Sequence, residues 1–189
     1  MGDVSVQQAT QWKDVGNDCF QHLDFAGAIL NYDHLIENFN PNTPAESELV
    51  QACVANRIFA LMKLADGHGL NALEEPIMQP LSNMGRFGFK SEVLLEARRS
   101  CEEALAVNVK AVKLWYRLGK INEAIAYRNP ACTGLHQLEV LFMSQQCFEE
   151  ALRLHPGHHE VVEALDEVNT TLTKICLGLV SDEANEHNN

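Results

Sequence analysis

Nearly the whole chain repeats apolar residues at spacings of three and four, and the rhythm stops at a few points marked by proline or glycine. That pattern restricts the fold to packed amphipathic helices. Between Ala9 and Asn40 it predicts two, with a break near Leu23-Asp24. The first carries Trp12, Val15, Cys19 and Phe20, the second Phe25, Ala28, Ile29, Tyr32, Leu35 and Ile36. Pro41-Asn42-Thr43-Pro44 ends the second, since proline has no amide donor and pushes the residue before it out of the helical region. A third helix is expected from Ser47 to Ala65, with Leu49, Ala52, Cys53, Ile58, Leu61 and Leu64 among its apolar positions. The pattern returns from Ser91 through Val107, from about Ala111 to Tyr127, and from about Leu135 to Leu154, with Asn129-Pro130 between the last two. A final helix from about His159 to Leu179 has Val161, Leu165, Val168, Leu172 and Ile175 as its stripe, and residues 181–189 read as a polar, frayed tail.

Residues 66–90 interrupt the pattern with four glycines and two prolines and are expected to be an insertion. Leu70, Leu73, Ile77, Met78, Leu81, Phe87 and Phe89 make it too apolar for a solvated linker. It is therefore expected to dock partly on the helices, with a short helix near Leu70 to Glu75, or to offer a second binding surface.

Composition narrows the function classes. A formal net charge of −12 over 189 residues disfavours nucleic acid, whose affinity comes from neutralising phosphates with Lys and Arg, yet leaves room for a local basic groove. The hydrophobic and charged fractions, 46% and 21%, suit a folded globular chain. Six scattered cysteines without a Cys-x-x-Cys pair read as reduced, mostly core residues. The amino terminus lacks a basic region followed by an apolar core, and Val6 stands where a myristoylation motif wants Ser or Thr, so a cytoplasmic or nuclear chain is expected. No apolar run approaches the roughly 18 residues of a membrane span.

Internal register adds more than helix count. A frame of about 34 residues opened at Ala9 puts Trp12 fourth, Gly16 eighth, Ala28 twentieth and Tyr32 twenty-fourth. A second frame from Gln51 includes Asn56-Arg57 and, after the insertion, Ala97, Cys101 and Ala104; a third from Val112 gives Gly119, then Ser144, Phe148, Ala151 and Pro156. The series Trp12-Lys13-x-x-Gly16-Asn17-x-x-Phe20 followed by Phe25-x-x-Ala28-Ile29-x-x-Tyr32 resembles the tetratricopeptide repeat. The resemblance implies an all-α fold. Three helix-turn-helix repeats, at about 9–41, 51–108 and 112–156, would form a right-handed superhelix closed by a capping helix at 159–179. Leu35 and Cys19 depart from the usual repeat residues, and neither insertion is typical.

Lys13 and Asn17 lie one turn apart, as do Lys113 and Arg117, and Asn56 falls in the first helix of the repeat between them. This set resembles the dicarboxylate clamp of co-chaperone tetratricopeptide domains. That resemblance implies a peptide-binding adaptor for the carboxy-terminal Glu-Glu-Val-Asp tail of the seventy- or ninety-kilodalton heat-shock chaperones. Lys13, Asn17, Asn56 and Lys113 would hold the terminal Asp, and Arg117 would bind further up the peptide. Phe20 either walls a pocket for an apolar peptide side chain or packs in the core. The bland alternative is that these lysines, arginines and amides are a solvated helix surface. A functional alternative is a scaffold that binds an unrelated protein through its concave face or its insertion.

Other constellations are weaker. His155, His158, His159 and Glu160 lack any zinc spacing, Cys101 and Cys147 lack a nucleophile elbow, and Gly85 to Lys90 is no phosphate loop. No cofactor, metal or catalytic role is expected.

Overall fold

The computed structural model describes residues 4–68, 85–129 and 131–178, without the side chains of 85–89. Among the described residues there are seven helices and no strand: α1 Val6–Gln21, α2 Phe25–Asn38, α3 Pro44–Ala65, α4 Gly85–Val107, α5 Val112–Arg128, α6 Gly134–Leu154 and α7 His159–Cys176. They gather into two compact units, the first ending at Val109 and the second beginning at Lys110. In the first, α1 packs on α2, α2 on α3, α3 on α4, and α1 also reaches α3. In the second, α5 packs on α6, α6 on α7, and α5 reaches α7.

Local chemistry sets the helix ends. After α1 the amides of Leu23 and Asp24 bond to Phe20 and Cys19 carbonyls at 3.1 and 2.9 Å, with Leu23 in the left-handed region at φ 63°. The Asp24 side chain then accepts from the Gly27 amide at 2.9 Å and opens α2. Pro44 does not merely stop the preceding helix but is the first residue of α3. Its missing N–H is one that no helix start uses, and Thr43 and Glu46 close a capping box around it. So α3 begins at Pro44, ahead of Ser47.

A second boundary differs more. Helix α4 starts at Gly85, within the segment that the sequence pattern assigns to the insertion, so Gly85 to Lys90 is helical. Helix propensity costs about 1 kcal/mol for each internal glycine. The turns that follow bury Val93, Leu94, Ala97, Cys101 and Leu105, and this packing carries the helix through its weak first turns. The expected short helix at Leu70 to Glu75 lies outside the described residues. In α7 the buried stripe is Val161, Ala164, Val168 and Leu172, while Leu165 and Ile175 are half-buried. Ala164 does not stand out as apolar in the sequence, yet its small side chain is 4% exposed.

Paired helices meet through a glycine and an aromatic ring. A Cβ on Gly16 would lie 2.6 Å from Cε1 of Tyr32, and one on Gly119 would lie 2.3 Å from Cε1 of Phe148. Both rings are fully buried against helix backbone. In the second repeat the sizes exchange: the frame puts Ile58 where the glycine stands and Cys101 where the ring stands, and both are fully buried.

Polar ties complete each unit. Arg57 of α3, with its side chain 17% exposed, pairs with Asp33 of α2 at 2.5 Å and Glu96 of α4 at 3.1 Å, and donates to Ser100 Oγ at 2.7 Å. Burial pushes the Glu96 carboxyl up, but the hydrogen bond and charge of Arg57, joined by Arg99, outweigh it and hold the group below its ordinary range. In the second unit Asn122 is almost wholly buried on α5. Its Nδ2 donates to Cys147 Sγ at 3.8 Å, and its Oδ1 has no hydrogen-bond partner among the described residues.

Two outcomes follow for stability. A carboxylate depressed in the folded state stabilises fully above its unfolded pKa, and that stability is lost as pH falls through the folded value. Thermal melts should therefore weaken progressively below the ordinary value of 4.5, and Glu96→Gln should remove part of that acid dependence. Superimposable acid profiles of the two proteins would show that Glu96 contributes nothing to it. Asn122→Leu, of similar shape, removes an unsatisfied buried carbonyl worth about 1 to 3 kcal/mol. It should raise the denaturant midpoint of the second unit; a lower midpoint would mean that the amide is satisfied in solution.

Candidate functional site

Asn17 and Asn56, distant in sequence, meet between α1 and α3. Asn17 Oδ1 accepts two hydrogen bonds, from Tyr32 Oη at 2.8 Å and from Asn56 Nδ2 at 3.0 Å. The glycine at position 16 makes this possible, since only a residue without Cβ lets the Tyr32 ring lie close enough to α1 for its hydroxyl to reach the next residue. Burial pushes the Tyr32 hydroxyl up to about 12, so it remains a protonated donor at neutral pH. With its carbonyl oxygen doubly engaged, Asn17 keeps both N–H groups for another acceptor, and Asn56 keeps one.

These residues line a cleft of about 210 Å³ together with Phe20, Gln21 and Phe59. Phe20 stacks on Phe59 with centroids 5.2 Å apart and meets Phe25 edge-on at 5.1 Å, so it packs against neighbours while forming part of the wall. The Lys63 ammonium lies 5.3 Å from the Phe59 ring centre. Lys13, half-buried, stands one turn before Asn17 on α1. Burial dominates the Cys53 thiol of α3 and raises it to about 11, against the nearby charge of Lys13, which lowers it, and with that of Asp14, which adds to the rise. Among the described residues Lys13 and Lys113 form no ion pair.

Of the five expected donors, Asn17 and Asn56 thus meet in the first unit, with Phe20 beside them, and Lys13 stands one turn before Asn17 on α1. Lys113 and Arg117 stand one turn apart on α5 in the second unit, Lys113 exposed and Arg117 half-buried. Arg57, which follows Asn56 in the sequence, lies elsewhere, because consecutive helix residues point about 100° apart. Asn56 turns toward α1, whereas Arg57 turns toward α2 and α4. Sequence reasoning missed Tyr32, Gln21 and Phe59 as cleft residues. Phe59 had a usable signal, since it follows Asn56 by one helical turn and shares its face.

The remaining candidates are dispersed or packed. His158 stacks on Tyr116 at 6.3 Å and meets His155 at 5.7 Å, while exposed His159 faces Glu163 at 3.4 Å. Among the described residues no group of three His, Cys, Asp or Glu side chains is placed to hold a metal ion. Cys101 and Cys147 are buried. No described helix is long and apolar enough to cross a membrane.

Comparison with solved structures gives whole-chain likeness at low identity. The first repeat domain of Spaghetti (RPAP3), bound to the HSP90 peptide SRMEEVD, matches at 20% identity and TM-score 0.58, covering 90% of this chain and 98% of that one. The second domain of human RPAP3, in complex with the HSP70 peptide SGPTIEEVD, matches at 22% identity and TM-score 0.55, over 86% and 96%. The Sgt2 domain of Aspergillus fumigatus matches at 14% identity and TM-score 0.60, over 100% and 98%. All three are tetratricopeptide-repeat domains.

This chain has the tetratricopeptide-repeat fold. No protein-family model and no curated protein sequence matches it, so the repeat is recognised by its backbone and not by close sequence kinship. In repeat terms, α1 with α2, α3 with α4, and α5 with α6 are the three pairs, and α7 follows them as the cap.

The contact at Gly16 yields a direct test. Gly16→Ala gains up to about 1 kcal/mol in helix propensity, but its methyl overlaps the Tyr32 ring, and overpacking of that kind costs about 1 to 3 kcal/mol. The net effect should be a lower melting temperature together with a changed near-ultraviolet tyrosine signal. A variant that melts at or above the wild-type temperature with an unchanged signal would show that the ring has room.

Proposed function

We propose that this chain is a peptide-binding adaptor of the co-chaperone kind, taking the acidic carboxy-terminal tail of a seventy- or ninety-kilodalton heat-shock chaperone. The observation that carries the proposal is the Asn17–Asn56 pair, two amides hydrogen-bonded to each other on the wall of a cleft, with N–H groups left over and the unpaired Lys13 beside them. An amide donor adds hydrogen bonds to a carboxylate without adding repulsion between neighbouring cations. Solved domains of the same fold carry HSP90 and HSP70 peptides ending in Glu-Glu-Val-Asp, and this supports the same ligand class here. In the proposed complex Lys13, Asn17, Asn56 and Lys113 hold the terminal residue, and Arg117 binds upstream. The chain then acts by binding alone, in the cytoplasm or nucleus where such chaperones work.

Calorimetry with the full chain tests this. Peptides ending in Glu-Glu-Val-Asp should bind as free acids and not when carboxy-amidated. Lys13→Ala and Lys113→Ala should each weaken the free-acid peptide by about tenfold or more, about 1.4 kcal/mol, with little change in melting temperature. Equal affinity for free-acid and amidated peptides would overturn the proposal.

A further inference from the structure

The three repeats provide an internal comparison for Tyr32. At its frame position the second repeat has Cys101 and the third has Phe148, and Phe148 packs on Gly119 as closely as Tyr32 packs on Gly16. A ring without a hydroxyl therefore fills this gap fully. At the frame position of Asn17 the other repeats have Phe59 and Lys120, and Lys120 is engaged with Glu123 at 2.6 Å. The hydroxyl occurs only in the repeat that has an asparagine to receive it.

We infer that Tyr32 is a positioning residue for the ligand site: its buried hydroxyl, acting with Asn56, holds the Asn17 amide so that the NH2 end, not the carbonyl, is presented to a ligand carboxylate. An asparagine amide rotates freely in solvent and offers either end. Two donors on Oδ1, at 2.8 and 3.0 Å, select one orientation before any ligand arrives. Tyr32 has no need to touch the peptide, and its effect passes through Asn17. A hydroxyl that stays protonated across neutral pH makes the orientation independent of pH there. The inference rests on the tail-binding proposal above, because it assigns a role within that site.

The experiment compares the full wild-type chain with Tyr32→Phe, using a free-acid peptide ending in Glu-Glu-Val-Asp and its amidated control. The affinity of Tyr32→Phe for the free acid should fall about fivefold, the equivalent of roughly one hydrogen bond. Its melting temperature should stay close to wild type, as Phe148 leads one to expect. In ¹⁵N spectra of the ligand-free protein, the Asn17 side-chain NH2 pair should move in Tyr32→Phe, which a purely packing role would not cause. Wild-type binding with undiminished affinity in a folded Tyr32→Phe would overturn the inference and leave the tail-binding proposal standing. Failure of the wild type to distinguish the two peptides would overturn both. Should Tyr32→Phe not fold, the wild-type spectra decide: the Asn17 NH2 pair should shift as the free-acid peptide saturates, and an unmoved pair would overturn the inference.

Discussion

The close approach of a glycine on one helix to an aromatic ring on its partner governs the rest of this structure. Gly16 under Tyr32 and Gly119 under Phe148 let each pair of helices come near enough that the ring lies against backbone, with no atoms lost to a gap. At the same frame positions the second repeat has Ile58 and Cys101, both fully buried.

The candidate site depends on that crossing. In the first repeat the ring carries a hydroxyl, and the distance that satisfies packing also brings Tyr32 Oη to Asn17. From there the network extends to Asn56 on α3, so a hydrogen-bond chain joins three helices at the wall of one cleft. Buried polar groups are costly unless paired, and here the pairing occupies the Asn17 carbonyl oxygen and leaves N–H donors on Asn17 and Asn56. A site that is rich in donors for a structural reason suits an anionic ligand.

On the adjoining side of α3 the polar logic is different. Arg57 is enclosed by Asp33, Glu96 and Ser100, and its charge is spent inside the fold. Asn56 and Arg57 are neighbours in sequence and serve separate ends, one at the cleft and one tying α2, α3 and α4 together. The helix rotation of about 100° per residue separates them.

The sequence by itself determined the helices, the repeat frame and the small-against-large register, because each is a local or periodic property written in residue spacing. Trp12, Gly16, Ala28 and Tyr32 sufficed for the first repeat, and the breaks expected at Leu23-Asp24 and after Arg128 fell at helix ends. Tertiary structure decided what spacing does not encode. It made Gly85 to Lys90 helical, since the packing of later turns overrides the low propensity of glycine. It set Arg57 inside and turned Asn56 toward Asn17, since partners from α2 and α4 are remote in sequence. It also made Tyr32 part of the candidate site, because a hydroxyl finds its acceptor only when two helices are already in contact.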